Sequence, residues 1–239
     1  LALRNRNFRV LFVAILFSSM VFGTGQVFDV YMNLYFWDFK TEQLRWFSFA
    51  VAGAIASFAL APVLQRYWEK QQVMLGSLFV FSILAMMKVA FRYWNIWPEN
   101  GDPLLLWIFV FFTTFQAFFA SLVLIMFASM MADIADEQEL ETGLRQEGVF
   151  SAGISFAAKT TTGLGLVTGG ILLDQFIGFP RGTVPGEVES TVLWRLAFVD
   201  AIAVPALPFI TISTCAAASP VTMALPVIAG KAPGTPPPV

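Results

Sequence analysis

The sequence predicts an all-α membrane protein with six transmembrane helices. Three observations carry that prediction. Of 239 residues, 57 % are hydrophobic and only 13 % are charged, whereas soluble domains carry about 25 % charged residues. The mean hydropathy is +0.72, so a solvent-exposed surface of normal polarity cannot be built from this chain. The apolar residues run in long unbroken blocks, without the period-two alternation of a membrane β-barrel strand.

The blocks fall in order along the chain. The first runs from about Phe8 to Trp37 and the second from Trp46 to Leu64, followed by a polar turn over Gln65–Gln72. The third, Val73–Phe91, is closed by a polar loop containing Trp97, Pro98 and Pro103. The fourth is Leu104–Met131, the fifth Gly148–Phe179, and the sixth Thr191–Ser213 with Pro205 and Pro208 inside it. Each exceeds the ~17 residues that a spanning helix needs, and the longest imply tilt or protruding ends. These spans form one bundle over residues 1–215. The remainder, 216–239, is rich in Ala and Pro and ends Gly-Thr-Pro-Pro-Pro-Val. It cannot extend a helix and is expected to be disordered.

Composition excludes several functions. With net charge −2 there is no basic footprint for nucleic acid. One Cys and no His leave no basis for a zinc site, a histidine acid–base pair or a Ser-His-Asp triad. No nucleotide-binding loop is visible, and neither an enzyme nor a bound cofactor is expected. Arg4, Arg6 and Arg9 precede the first span, so the Lys and Arg distribution puts both ends in the cytoplasm.

Polar residues inside the spans are the candidate functional groups. Gln26, Asp29 and Asn33 recur at i, i+3 and i+7, which puts them on one helix face. That face either lines a cavity for a polar solute or is hydrated near the interface. Lys159 lies inside an uncharged stretch from Gly148 to Leu173. A cation at that depth costs roughly 2.5–3.5 kcal/mol on insertion scales, so it faces a cavity or a partner rather than lipid. Ser151, Ser155 and Thr162 share its face, and a structural ion pair, with Asp29 or with an acid on a helix outside this chain, is the rival reading. Gly165 and Gly169 form a G-x-x-x-G pair, which suits close helix packing. Lys88 reads as a snorkelling side chain near the end of its span. Asp200 is deep but has no periodic partner.

The connector from Asp133 to Glu147 carries six acids against Arg145 alone. Ile134, Leu140 and Leu144 are interspersed, and Thr142-Gly143 breaks the run, as for a surface helix that turns into the next span. An acidic cytoplasmic segment departs from the positive-inside trend, and specific contacts such as Arg145 pairing across the protein would explain it.

The motif Ala132-Asp-Ile-Ala-Asp136, then Glu141-Thr-Gly-Leu-Arg145-Gln-Glu147-Gly, then Phe150-Ser-Ala and Lys159, resembles one family. It is that of the glycoside–pentoside–hexuronide:cation symporters, a branch of the major facilitator superfamily that includes the melibiose permease. Gly169-Gly-Ile-Leu-Leu-Asp174 and Ile177-Gly-Phe-Pro180 extend the resemblance. It implies that the chain, which begins with Leu1 and not Met, is the carboxy-terminal half of a twelve-helix fold. The implied activity is sugar transport coupled to Na⁺ or H⁺ in the bacterial inner membrane, with the ion site mostly in the other half. By that resemblance Lys159 falls near the sugar and cation sites and Ser155 close to the sugar. Asp133, Asp136, Arg145 and Glu147 belong to a gating connector. Leu124 stands where the melibiose permease has a Trp. Rival readings are a symporter of lysophospholipids or other amphiphiles, suggested by the Phe-rich fourth span, and a truncated module that transports nothing.

Overall fold

A computed structural model of the chain describes residues 6–143, 147–180 and 182–202. Helix α1 covers Arg6–Tyr31 and passes directly into a π-helical turn, Met32–Phe36. A short helix α2, Thr41–Leu44, and a 3₁₀ stretch, Arg45–Phe49, lead into α3, Ala50–Tyr67. Helix α4 covers Lys70–Tyr93, α5 Pro103–Thr142 and α6 Glu147–Ile171. A second π-helical turn, Leu172–Ile177, comes directly after α6. Helix α7 is described over residues 190–202. Among the described residues there is no strand. Among the described residues, four segments, 41–67, 70–93, 103–136 and 151–177, are each long and apolar enough to cross a bilayer. The end of the sixth expected span and the expected tail 216–239 lie outside the described residues.

Local chemistry sets the helix starts. The Lys40 amide donates to Gln43 Oε1 (2.9 Å), and the Gln43 amide donates back to the Lys40 carbonyl (2.8 Å). That reciprocal cap begins the second span at Thr41, five residues before the apolar block does. Glu69 and Gln72 form the equivalent start of α4. Asp102 accepts from the Leu104 amide (2.8 Å) with Pro103 in the first helical position. Proline suits that position because its missing N–H would have no helical partner there. Pro103 therefore opens a helix rather than closing a loop.

The fourth helix is longer than its apolar block. It continues without a break through the first acids of the connector to Thr142, 40 residues in all. At ~1.5 Å per residue that is about 60 Å, twice the ~30 Å hydrocarbon layer. The acids do not break the helix because they extend past the membrane into water. Gly143, at φ 70°, ends it with its amide on the Glu139 carbonyl (2.8 Å).

Two pairings organise the bundle: α1 packs along α6, and α5 packs along α3 and α4. Glycine makes both close. A Cβ on Gly165 would stand 2.3 Å from the Met20 carbonyl oxygen, and one on Gly23 2.2 Å from that of Thr162. A Cβ on Gly53 would stand 2.0 Å from the Thr114 oxygen. Each of these neighbours is backbone and cannot move aside cheaply. Small-residue seams of this kind are how helices associate in lipid, where no hydrophobic force drives them together.

Aromatic packing closes one end of the bundle. Trp37, Trp97 and Phe109 are buried there, with Trp37 4.4 Å and Trp97 5.4 Å from the Phe109 ring. Arg92 donates to the Pro98 carbonyl (2.8 Å) and lies over the Trp37 ring. Trp97 Nε1 donates to the Lys88 carbonyl (2.8 Å), and Asn100 donates to the Phe36 carbonyl (3.0 Å). At the other end Val73, Met126, Met130, Ile134 and Ile154 form a second core. There Lys70 Nζ bonds both oxygens of Asp133, at 2.8 and 2.6 Å.

Replacing Gly165 by Val should separate α1 from α6. We expect it to lower the detergent melting midpoint by the equivalent of about 1–3 kcal/mol, the usual range for overpacking. Gly163→Val is the control, because a Cβ there meets nothing within 4 Å. Equal midpoints for the two variants would contradict the close seam.

Candidate substrate and coupling site

The α1–α6 seam determines which polar residues can meet. Thr24 Oγ1 donates to the Gly165 carbonyl across the seam (3.1 Å) and to the Met20 carbonyl on its own helix (3.0 Å). Gly23 faces Thr162, and Gly169 faces Val27. The residue numbers rise together on both sides, so the two helices run parallel with Thr24 level with Gly165.

That register separates Lys159 from Asp29. Lys159 stands six residues before Gly165, and Asp29 five residues after Thr24. The two are therefore about 16 Å apart along the axes at ~1.5 Å per residue. Asp29 is therefore not an ion-pair partner for Lys159. Lys159 and Ser155 are both exposed on α6, about a quarter turn from the seam at 3.6 residues per turn. Among the described residues no salt bridge reaches Lys159. It is presented on an open face of the bundle.

Asp29 has other company. Gln26 and Asp29 are exposed and Asn33 is half-buried, on the side of α1 turned away from α6. Phe36 contacts Trp194 (5.4 Å), and Trp194 contacts Tyr93 (6.0 Å). These rings hold the end of α1, the end of α4 and the start of α7 together. Counting inward from them, Asp29 lies seven residues below Phe36, Asp200 six below Trp194 and Lys88 five below Tyr93. All three sit about 8–10 Å in from the aromatic end, on three different helices. The three side chains are within electrostatic reach of one another across the helices. Among the described residues no salt bridge within 4.0 Å joins them. Two acidic side chains and one lysine thus share a level without collapsing into a contact pair. Intramembrane charges of this kind are costly and mark functional sites by default.

The chain matches the family described as MFS/sugar transport protein over residues 1–221. It belongs to that family. It is 28 % identical over 197 residues to a Salmonella typhimurium protein named "Putative sulfoquinovose importer", covering 82 % of this chain and 39 % of that protein. An Escherichia coli protein of the same name is 25 % identical over the same coverage. The chain thus spans about two fifths of the length of these curated relatives. No solved structure matches it.

For this MFS sugar-transport chain, the sequence singles out Asp29 but not the groups at its level. Lys88 reads as a snorkelling cation and Asp200 as an isolated acid when each helix is taken alone. Depth counted from the aromatic ends is the signal that unites them. The connector residues fare differently. Asp133 is tied to Lys70, and Asp136 is exposed. Arg145 and the side chain of Glu147 lie outside the described residues. Ser155 and Lys159 stay together on α6, apart from the Gln26–Asp29–Asn33 face. Among the described residues, no group of three or more Cys, Asp or Glu is placed to hold a metal ion.

Neutralising Lys88 should leave two carboxylates facing each other. We expect Lys88→Met to reduce folded yield in detergent. Lys88→Met/Asp29→Asn should recover it, with a coupling of about 0.5–3 kcal/mol in the double-mutant cycle. Strictly additive effects would show that the three groups do not interact.

Proposed function

We propose that the chain is the carboxy-terminal six-helix half of a twelve-helix sugar:cation symporter that works by alternating access. The observation that carries this reading is Lys159, an intramembrane cation on the open face of α6 in a member of a sugar-transport family. In such folds the substrate sits near the bilayer midplane between two halves that rock against each other. The exposed side of α6, with Ser155 and Lys159, would then face the amino-terminal half and the solute between them. Asp133, Asp136, Arg145 and Glu147 would act in the connector, where the Lys70–Asp133 pair holds α4 to the extension of α5. Both ends would lie in the cytoplasm of a bacterium, and Na⁺ or H⁺ would drive uptake, with most ion ligands in the other half.

The curated relatives are named for a sulfonated sugar. A sulfonate is a permanent anion and needs a cation along its path, and Lys159 supplies one. The expected substrate class is therefore a monosaccharide, with an anionic substituent favoured over a neutral one. A lysophospholipid would instead require a broad apolar channel, and the family match favours the sugar.

The test is ion-gradient-driven uptake by the chain joined to its amino-terminal half in proteoliposomes. Sulfoquinovose and glucose would be supplied separately. Removing a charged hydrogen bond to substrate costs about 1.5–3 kcal/mol, roughly 10- to 100-fold. Lys159→Ala should lose at least that much sulfoquinovose uptake, and Lys159→Arg should keep part of it. Wild-type uptake by the alanine variant would overturn the role of Lys159.

A further inference from the structure

Packing, as well as residue count, fixes the level shared by Asp29, Lys88 and Asp200. Phe28 of α1, Val89 of α4, and Leu196 and Ala197 of α7 are buried in one core cluster. Val199 and Ala201, on either side of Asp200, pack against the same cluster. Each charged side chain therefore leaves a helix that is held against the other two at that point. Among the described residues, neither a salt bridge within 4.0 Å nor a hydrogen bond ties any of the three side chains. Asp29 is exposed, and Lys88 and Asp200 are half-buried, so the group is open on its α1 side. Gln26 and Asn33 lie about one turn to either side of Asp29 and continue its polar face.

Few other charges reach this level. Helix α5 carries no charged residue between Asp102 and Asp133. Asp174 lies beside Tyr31 and Tyr35, and Tyr31, two residues on from Asp29, points about 200° around α1 from it. Lys159 is about 16 Å away along the axes. Arg92 lies one turn outward from Lys88 and turns to the Pro98 carbonyl, and Tyr93 meets Trp194 at the aromatic end. Arg195 follows Trp194 at that end and is exposed. Two ionised carboxylates beside one ammonium would then leave one uncompensated negative charge in an apolar setting. Such a charge is costly, and carboxylates that share a site resist ionising together. One proton removes the excess and leaves the group neutral. A sodium ion would meet the Lys88 ammonium instead, and among the described residues no third Cys, Asp or Glu is placed to help hold a metal ion.

We propose that Asp29, Asp200 and Lys88 form a proton-binding site in which the two carboxyl groups share one exchangeable proton. The proton is taken from water at the exposed Asp29 and returned there, and no other bond forms or breaks. Lys88 keeps the second carboxyl ionised. The site and Lys159 stand at different depths of one bundle, so proton and solute are bound by different groups. The proposal rests on the symport reading for its use in transport, and not for the binding of the proton.

The experiment is labelling of the purified chain in detergent with dicyclohexylcarbodiimide, an apolar reagent that adds to protonated carboxyl groups, read by peptide mass spectrometry. Asp29 or Asp200 should be labelled in the wild-type chain, less so as the pH rises from mildly acid to mildly alkaline. Each acid should depend on the other. In Asp200→Asn the remaining Asp29 is balanced by Lys88, and its labelling should fall about tenfold or more. Asp29→Asn should do the same to Asp200. Lys88→Met/Asp29→Asn, which brings back the excess negative charge, should restore the label on Asp200. An unchanged melting midpoint identifies the folded variants. No label on either acid in the wild-type chain, or equal labelling of the remaining acid in folded single and double variants, would overturn the site. Loss of the wild-type label when Na⁺ replaces choline at constant ionic strength would overturn the proton and assign a metal cation. Reciprocal labelling in a protein that shows no gradient-driven uptake would leave the site standing and overturn symport alone.

Discussion

The contact that orders the molecule is the hydrogen bond from Thr24 to the Gly165 carbonyl, made across a seam too narrow for side chains. In lipid, helices gain nothing by hiding apolar surface from one another, so register has to come from shape and from the few polar bonds that can form. Glycines at 23 and 165 bring the backbones together, and the Thr24 hydroxyl then has one carbonyl across the seam to reach. A slide by one residue would drive Met20 and Thr162 backbone atoms against new Cβ atoms. This lock decides which groups share a level on α1 and α6.

The lock distributes the polar groups over two regions. It keeps Lys159 and Asp29 apart along parallel axes and turns the Asp29 face of α1 away from α6. A lysine and an aspartate in one apolar bundle would ordinarily be assumed to neutralise each other. Here the geometry gives Asp29 to Lys88 and Asp200, and leaves Lys159 on an open face. A paired Lys159 would be a strut. A lysine held away from the described acids of the bundle can respond to what arrives at that open face.

Much of the architecture is readable from residue order alone. Apolar blocks give the helices, because backbone groups in lipid must be satisfied within a helix, and Thr142-Gly143 marks a helix end that Gly143 makes by adopting a left-handed conformation. The spacing of Gln26, Asp29 and Asn33 correctly places them on one face. Relations between helices are not readable in this way. Lys88 has an apolar neighbourhood in sequence whether it snorkels or faces two acids, and only the Phe36–Trp194–Tyr93 contacts reveal its level. The 40-residue α5 is hidden for a different reason: acids end an apolar block but do not end a helix. The π turns leave no periodic trace, since one extra residue in a turn only rotates the residues beyond it onto a different face.

That rotation has a structural consequence at the aromatic end. An α-helical continuation of α6 would carry Phe179 around by the ordinary 3.6 residues per turn. The π turn widens the coil, and the left-handed Gly178 then folds the chain back across the end of α1. Three aromatic rings meet there instead of passing one another. The same device at Met32–Phe36 and Asp38 returns Phe39 toward the buried Phe109, at 5.4 Å. Of two similar reversals, one ends in the tryptophan core and the other in the Tyr31–Tyr35–Phe179 cluster.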